Sequence, residues 1–293
     1  MGIVVQTNVP SLIAQNNMTT ATNKMNQAME RMTTGYKINS AKDDAAGLYV
    51  ATSLDKNIRG SKIAQQNVQM GNDMISVAEG DLSGIQDNLL RIRDLTLTAA
   101  NGIYDQASLD ALKAEVQART AEIDRMAKVS EYNGKKLLNG DVTKVSLQVG
   151  ANATTNDVIE IEGIFGKAEA STLGVGKANT AAGVTTDISI DDAFKVGDDS
   201  ITNLQNFLKT VDVALEEVQT RRTNIGAIQN RLDSASSSLT TTIENLTSSK
   251  STIMDADIAA ESSEYINGQI LQQAAVSLLV QANQAPQAAL SLV

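Results

Sequence analysis

The 293 residues contain no cysteine, no histidine and no tryptophan, two prolines, and aromatic side chains at only 3%. Each absence removes a class of chemistry. Without Cys there is no disulfide, no thiol nucleophile and no thiolate metal ligand. Without His the commonest general base and the commonest transition-metal ligand are gone, so an H-E-x-x-H zinc protease site is impossible and no enzyme is expected. A chain free of Cys also suits a protein that travels unfolded with no risk of cross-linking. So few aromatics argue against a wide, tightly packed globular core. Lys and Arg number 24 against 34 Asp and Glu, a net charge of −10, which disfavours nucleic acid and anionic membranes as partners. The densest apolar run, Ala274 to Val280, is far too short to span a bilayer, so no membrane insertion is expected. Met1 to Pro10 has no basic start and its apolar run breaks at Gln6, so secretion through a cleaved signal peptide is not expected either.

What the chain has instead is periodicity. Leu204, Val211, Val218, Ile225, Leu232, Leu239, Leu246 and Ile253 recur every seven residues without a gap. The companion positions Leu208, Leu215, Arg222, Gln229, Ser236, Ile243 and Lys250 are mixed. One apolar and one mixed seam at this spacing is a coiled-coil pattern. At about 1.5 Å per residue the ladder would run roughly 75 Å. A helix of that length cannot stand alone, so it needs partner helices from this chain or from neighbouring copies.

A second seam follows Pro10, a residue suited to a helix start: Ala14, Met18, Ala21, Met25, Ala28 and Met32 alternate four and three apart. Small Ala side chains permit close helix approach, and Met tolerates small shifts in packing. Gly35 is expected to end this helix. The stretch from Gly35 to Gly47 then reads as a capped, solvated turn, with Asp43 and Asp44 as turn formers rather than a metal or acid–base pair. From Leu48 to about Asn101 the helical pattern returns, with Met70, Met74, Val77, Leu82, Ile85, Leu89 and Ile92 in the stripe and the polar Thr96 next. Ser108 reads as the N-cap of a shorter helix with the stripe Leu109, Leu112, Val116, Ile123 and Met126, supported by Glu115 and Arg119 four apart.

The rhythm then changes. Asn133-Gly134 and Asn139-Gly140 are turn signals, and Val145, Leu147 and Val149 alternate before Val158, Ile159 and Ile161, which predicts a β-hairpin. Eight of the nineteen glycines lie between Asn139 and Gly197. The last segment, from Ile258, is apolar nearly all round beyond Ile270, the pattern of a helix buried on nearly all sides and here by other subunits. Pro286 is expected to let Leu290 to Val293 turn away. The fold class is therefore mainly α: a long antiparallel helical coiled-coil rod formed by N- and C-terminal arms, with a small β-hairpin-rich insert in the middle.

Three pieces carry a resemblance to a known family. Ile38 to Gly47 (INSAKDDAAG), Gln86 to Leu97, and Leu279 to Leu292 (LVQANQAPQAALSL) resemble the signatures of bacterial flagellins, and the likeness covers roughly residues 1–140 and 200–293. The middle is much shorter than in large flagellins, so this is a short form lacking large outer domains. The resemblance implies a structural subunit that self-polymerises into the flagellar filament, exported unfolded through the flagellar type III apparatus to an extracellular location. It assigns 1–40 and 255–293 to the helices of an inner-core domain, 41–139 and 201–254 to the two arms of the rod, and 140–200 to the insert. The partners it implies are further copies of the chain, an export chaperone, the filament cap and the hook–filament junction proteins; no cofactor and no metal are implied. The assembly seam would comprise the ladder from Leu204 to Ile253 together with Met18, Met25 and Met32. Leu89 to Leu95 is similar to the segment read by the vertebrate flagellin-sensing Toll-like receptor, with Arg91, Leu95 and Glu115 at the recognition positions and Leu90 and Asp94 departing from the commoner Gln and Glu. The nearest rival is a hook–filament junction protein, which shares the terminal-helix design.

Overall fold

The computed structural model describes residues 7–175, 189–196 and 200–290, the side chains of 285–290 excepted. In order, the elements are α1 (Val9–Thr34), α2 (Ala45–Ala99), α3 (Gln106–Val129), β1 (Glu131–Tyr132), β2 (Lys135–Lys136), β3 (Lys144–Gln148), β4 (Val158–Glu162), α4 (Ile190–Ala193), α5 (Ser200–Met254) and α6 (Ile258–Leu290). The fold is mainly α, with two helical arms and a small β-rich insert between them. Two compact units divide it: a terminal unit of Met1–Ile58 with Glu244–Val293, and a central unit of Arg59–Ile243. The division falls inside α2 and α5, whereas the expected boundaries at 40/41 and 254/255 mark where the chain turns between helices.

In the central unit the ladder finds its partner within the chain. Leu204, Val211, Val218, Ile225, Leu232 and Leu239 are buried, covered by α2 residues that repeat at the same seven-residue interval. The buried α2 positions are Val68, Ile75, Leu82 and Leu89, with Ala64, Ala78, Ile85 and Ile92 three or four away. The expected stripe holds at Leu82, Ile85, Leu89 and Ile92 and fails at two positions nearer its start. Met74 is buried, but Met70 and Val77 are 51% and 38% exposed; the seam passes instead through Gly71 and the buried Ala78, whose small size leaves room for neighbouring side chains. A Cβ on Gly71 would meet Leu147 of β3. Thr96 is fully buried, and its hydroxyl donates to the carbonyl of Ile92 at 2.8 Å, so a polar residue occupies a seam position at little cost.

Polar rungs flank the seam and run antiparallel. Gln65 donates to Thr240 (3.0 Å), Asn72 to Asp233 (3.3 Å), Gln229 to Glu79 (3.1 Å), Arg222 to Gln86 (2.5 Å) and Arg93 to Asp212 (2.7 Å). On α2 each rung falls seven residues after the last while its partner on α5 moves towards the N-terminus. The mixed companion seam therefore does its own pairing: Arg222 and Gln229, which break the apolar pattern, bind side chains of α2.

The short helix α3 begins three residues earlier than expected. Asp105, not Ser108, is its N-cap, accepting the Ser108 N–H at 3.0 Å; both residue types can cap, and sequence alone does not choose between them. Leu109, Val116, Ile123 and Ala127 bury its inner face. β1 and β2 form a hairpin through Asn133 and Gly134, both at positive φ (48° and 78°), the backbone of a two-residue turn that Asn-Gly favours. β3 and β4 pair antiparallel with Val145 opposite Ile161 and Leu147 opposite Ile159, as the alternation predicts. The core is wider here than so few aromatics suggested, because all three phenylalanines are concentrated in it. Phe165, Phe194 and Phe207 are buried, and the rings of Phe194 and Phe207 meet edge to face at 6.2 Å.

In the terminal unit, Gly35 in the left-handed region caps α1 (φ 76°), as expected. Asp43 and Asp44 spend their oxygens on backbone. Asp43 accepts from the N–H groups of Asn39 and Ser40 and from the Ser40 hydroxyl, while Asp44 accepts from Ala46 and Gly47 at the start of α2. A side chain on Gly47 would collide with the Asp44 carboxylate and Ile38. α6 runs through Pro286 to Leu290, so the expected turning away does not begin at Leu290; residues 291–293 lie outside the described residues.

Two outcomes follow. Leu232→Asp puts an unpaired carboxylate at a fully buried position and should cost about 4 kcal/mol or more, lowering the midpoint of thermal unfolding by roughly 10 °C. Leu246→Asp, at a half-buried rung of the same ladder, should cost about 1 kcal/mol; equal losses by circular dichroism would contradict the division of the seam. The hydrogen bonds from Ser40, backbone first and then hydroxyl, hold the Asp43 carboxyl below its ordinary value. Because the folded value is depressed, the turn is fully held above the ordinary carboxylate range and loosens as pH falls through the lower folded value. An NMR titration of the Ser40 amide should show that lowered midpoint, and a midpoint at or above the ordinary one would contradict it.

Candidate assembly interface

The terminal unit pairs α1 with α6 through a very thin contact. Ala14, Ala21 and Ala28, seven apart, are buried on α1, and on α6 the buried side chains among those described are Gly-and-Ala sized, Ala275 at 5%. Met18, Met25 and Met32 are half-buried beside the alanines. The close approach that small residues allow is visible at Gly268, where a Cβ would lie 3.1 Å from the Cβ of Met25 and 3.3 Å from its backbone nitrogen. Polar bonds fix the pairing at both ends. Asn8 caps α1, accepting from Ser11, and donates to the Ala282 carbonyl at 2.8 Å; Gln272 donates to Thr22 at 3.1 Å. Arg31, in the last turn of α1, meets Glu261, in the first turn of α6, at 3.1 Å, so each charge also sits at the favourable end of its own helix dipole. Backbone bonds from Lys37 to Met254 (2.7 Å) and from Ala256 to Gly35 (2.9 Å) tie the two helix turns together.

Among the described residues, nothing in the unit covers the outside of α6. Ile266, Ile270, Leu271, Val276, Leu278 and Val280 are 47–58% exposed, and Val9, Leu12 and Ile13 of α1 are 53–57% exposed. So many large apolar side chains on one helix pair are far more than isolated surface residues, and exposed apolar faces of this kind are ones that partners cover. Between the two helices lies a groove of about 290 Å³ lined by Ala14, Asn17, Ala21, Leu271, Ala275 and Leu278. It is open, apolar on its floor and suited to a side chain from outside.

The expected assembly seam is therefore divided. Its first six rungs, Leu204 to Leu239, are sealed within the central unit, while Leu246 and Ile253 lie half-buried in the terminal unit together with the three methionines. The exposed apolar residues of α6 complete the surface. Their near-continuous apolar run was visible in the sequence; which of them face outward was not, because a helix apolar all round has no preferred face.

Arg91, Leu95 and Glu115 come together where α2 meets α3. Arg91 Nε donates to Glu115 Oε1 at 2.9 Å, and Arg119 reaches the same carboxylate at 4.0 Å and donates to Asn88 at 3.4 Å. The ion pair is half-exposed, at 50% and 36% for the two side chains, so it contributes little to stability. Leu95 lies beneath it at 3% exposure, inside the core.

The chain matches the family models for the bacterial flagellin N-terminal helical region over residues 5–143 and for the bacterial flagellin C-terminal helical region over residues 208–293. Over its whole length it is 38% identical to a flagellin of Xenorhabdus nematophila, 99% of which is covered. A flagellin of Bacillus subtilis strain 168 is 35% identical over 97% of this chain and 98% of its own. Polar flagellin F of Vibrio parahaemolyticus is 32% identical, with both chains covered in full. Among solved structures, a flagellar hook-associated protein of Vibrio parahaemolyticus superposes on 73% of this chain and all of its own with a TM-score of 0.60; at 15% identity it shows the fold alone. Two family models that together take in both helical arms, and full-length identity above 30% to several members, make this chain one of the bacterial flagellins, the structural subunits of the extracellular flagellar filament.

Proposed function

We propose that the terminal unit is the polymerising element of this subunit and that its folding is completed by neighbouring copies. The observation that carries this reading is the bare outer face of α6, whose large apolar side chains are about half-exposed while its contact with α1 is built on alanines. Long helices draw their stability from packing rather than propensity. A pair joined by so little apolar surface is ordered only when further copies bury it, so the terminal segments are disordered in the free chain and helical in the polymer. The central unit, whose seam is closed within the chain, folds before assembly.

A subunit of this kind must reach the growing tip without polymerising first. The absence of Cys and the uncovered apolar face of α6 fit export as an unfolded chain through the flagellar type III apparatus. An export chaperone would mask the 255–293 segment, and the cap and hook–filament junction proteins would adjoin the polymer at its two ends. The half-exposed Arg91–Glu115 pair offers a host flagellin-sensing receptor a charged contact on the monomer, while Leu95 serves the core first. Full-length identity to flagellins favours a filament subunit over a junction protein.

Electron microscopy of chain added to short filament fragments tests the reading, beside a copy truncated after Ser251 that lacks α6. The full chain should elongate the fragments and the truncated copy should not. Elongation by the truncated copy at the full rate would remove α6 as the polymerising element. If the full chain also failed to elongate, the junction-protein reading would replace this one.

A further inference from the structure

Four Asn–Gly pairs occur in the chain: Asn101–Gly102, Asn133–Gly134, Asn139–Gly140 and Asn267–Gly268. Such a pair is open to a reaction with itself. The Gly nitrogen attacks the side-chain amide carbon of Asn, a C–N bond forms to close a succinimide ring, and the amide nitrogen leaves as ammonia. Water then opens the ring at one carbonyl or the other, giving aspartate or isoaspartate, with no change of oxidation state. Glycine favours the attack because no side chain shields its nitrogen and its backbone turns freely. A backbone held in one conformation withholds that freedom, so the reaction belongs to open segments.

Three of the pairs lie in the central unit, whose core is closed within the chain. Asn133 and Gly134 are clamped in their turn by the pairing of β1 with β2. Asn139 is held on both side-chain atoms: its Oδ1 accepts from the Asp141 N–H at 2.9 Å and its Nδ2 donates to the Asp141 carboxylate. Asn101 sits in the exposed loop between α2 and α3. Asn267–Gly268 differs from all three because it lies inside α6, with Asn267 exposed and Gly268 buried against α1. While α6 is helical, the Gly268 N–H is committed to the helix ladder and the Asn267 backbone is fixed. Asn and Gly are both poor helix formers, so that protection comes from packing and is lost with it.

We infer that Asn267–Gly268 is a site of spontaneous deamidation that retires copies left unassembled: it reacts while α6 is unpacked and is silenced once neighbouring copies bury the helix. The inference rests on the reading that the terminal segments are ordered only in the polymer. Isoaspartate inserts a methylene into the main chain immediately before Gly268, which breaks the helix ladder there. This is where α6 comes closest to α1, a Cβ on Gly268 lying 3.1 Å from the Cβ of Met25 and 3.3 Å from its backbone nitrogen. The displaced backbone has no room, and the two helices no longer meet. Aspartate, by contrast, keeps the main chain and adds one charge at an exposed position. The lesion is therefore the altered backbone rather than the charge.

The purified chain, incubated at mildly alkaline pH as monomer and as polymer, tests this by peptide mapping of isoaspartate and by the rate at which the aged monomer elongates filament fragments. Conversion at Asn267 should be about tenfold or more faster in the monomer than in the polymer. It should approach that of a free peptide of residues 265–270, while Asn133 and Asn139 convert equally slowly in both states. Elongation should fall in step with conversion at Asn267. Asn267→Gln, whose longer side chain closes a ring far more slowly, should keep its elongation rate through the same incubation. Fresh Asn267→Asp should elongate within about threefold of the original rate, since an exposed substitution costs little. Equal conversion in monomer and polymer, or loss of elongation by Asn267→Gln as fast as by the original chain, would overturn the inference. Slow conversion in a monomer whose α6 amides exchange freely with deuterium would overturn it alone; slow conversion with protected α6 amides would remove the disordered-terminus reading as well. Failure of the fresh chain to elongate would remove the self-assembly reading and this inference with it.

Discussion

An apolar side chain on a helix stabilises the fold only while other apolar atoms lie against it, and in this chain the supply of covering atoms differs along the sequence. From Leu204 to Leu239 the seven-residue ladder of α5 is covered by α2, and every rung is buried. At Leu246 and Ile253 the same ladder continues into the terminal unit and is only half-covered. On α6 most of the apolar surface is bare. One periodic pattern thus yields a finished core in one unit and an unfinished one in the other, and the unfinished one is what a polymer can use.

That asymmetry explains the choice of residue types. Leu, Ile and Val fill the closed seam, and the polar interruptions Arg222, Gln229 and Thr96 are each bonded to a neighbour. In the terminal pair the contact positions are Ala, and Gly268 lies against Met25. Small residues bring two helices close without burying much surface, so the pair is directed but weak. The polar bonds of Asn8, Thr22 and the Arg31–Glu261 pair then specify which helix faces meet. Specific geometry with little stored stability is what the proposed completion of this pair by neighbouring copies requires.

Much of this was legible in the sequence, and what escaped it did so for identifiable reasons. The α5 ladder, the cap at Gly35 and the Asn133-Gly134 turn rest on strong local signals: an unbroken period, and residues that tolerate positive φ. The α2 stripe was legible at Met74, Leu82, Ile85, Leu89 and Ile92, but Met70 and Val77 were placed in it because they are more hydrophobic than Gly71 and Ala78, and hydrophobicity does not report where a small residue is needed for close approach. Asp105 and Ser108 are both competent N-caps, so the start of α3 was decided by packing. The rungs joining α2 to α5 are long-range pairs without a local signature. Pro286 is accommodated within α6, which continues to Leu290, whereas its residue type led to the expectation that Leu290 to Val293 turn away. In the candidate interface, the sequence showed that the terminal helices were apolar; it could not show that the first six rungs of the ladder were already taken.

Hydrogen–deuterium exchange, compared segment by segment in the monomer and the polymer, tests the central claim that one seam is closed within the chain and the other by neighbours. In the monomer, amides between Leu204 and Leu239 should exchange slowest, those of α1 and α6 faster by orders of magnitude, and only the latter should gain large protection on polymerisation. Protection of α1 and α6 in the monomer equal to that of the Leu204–Leu239 stretch would show that the terminal pair is complete by itself, and the account would fail.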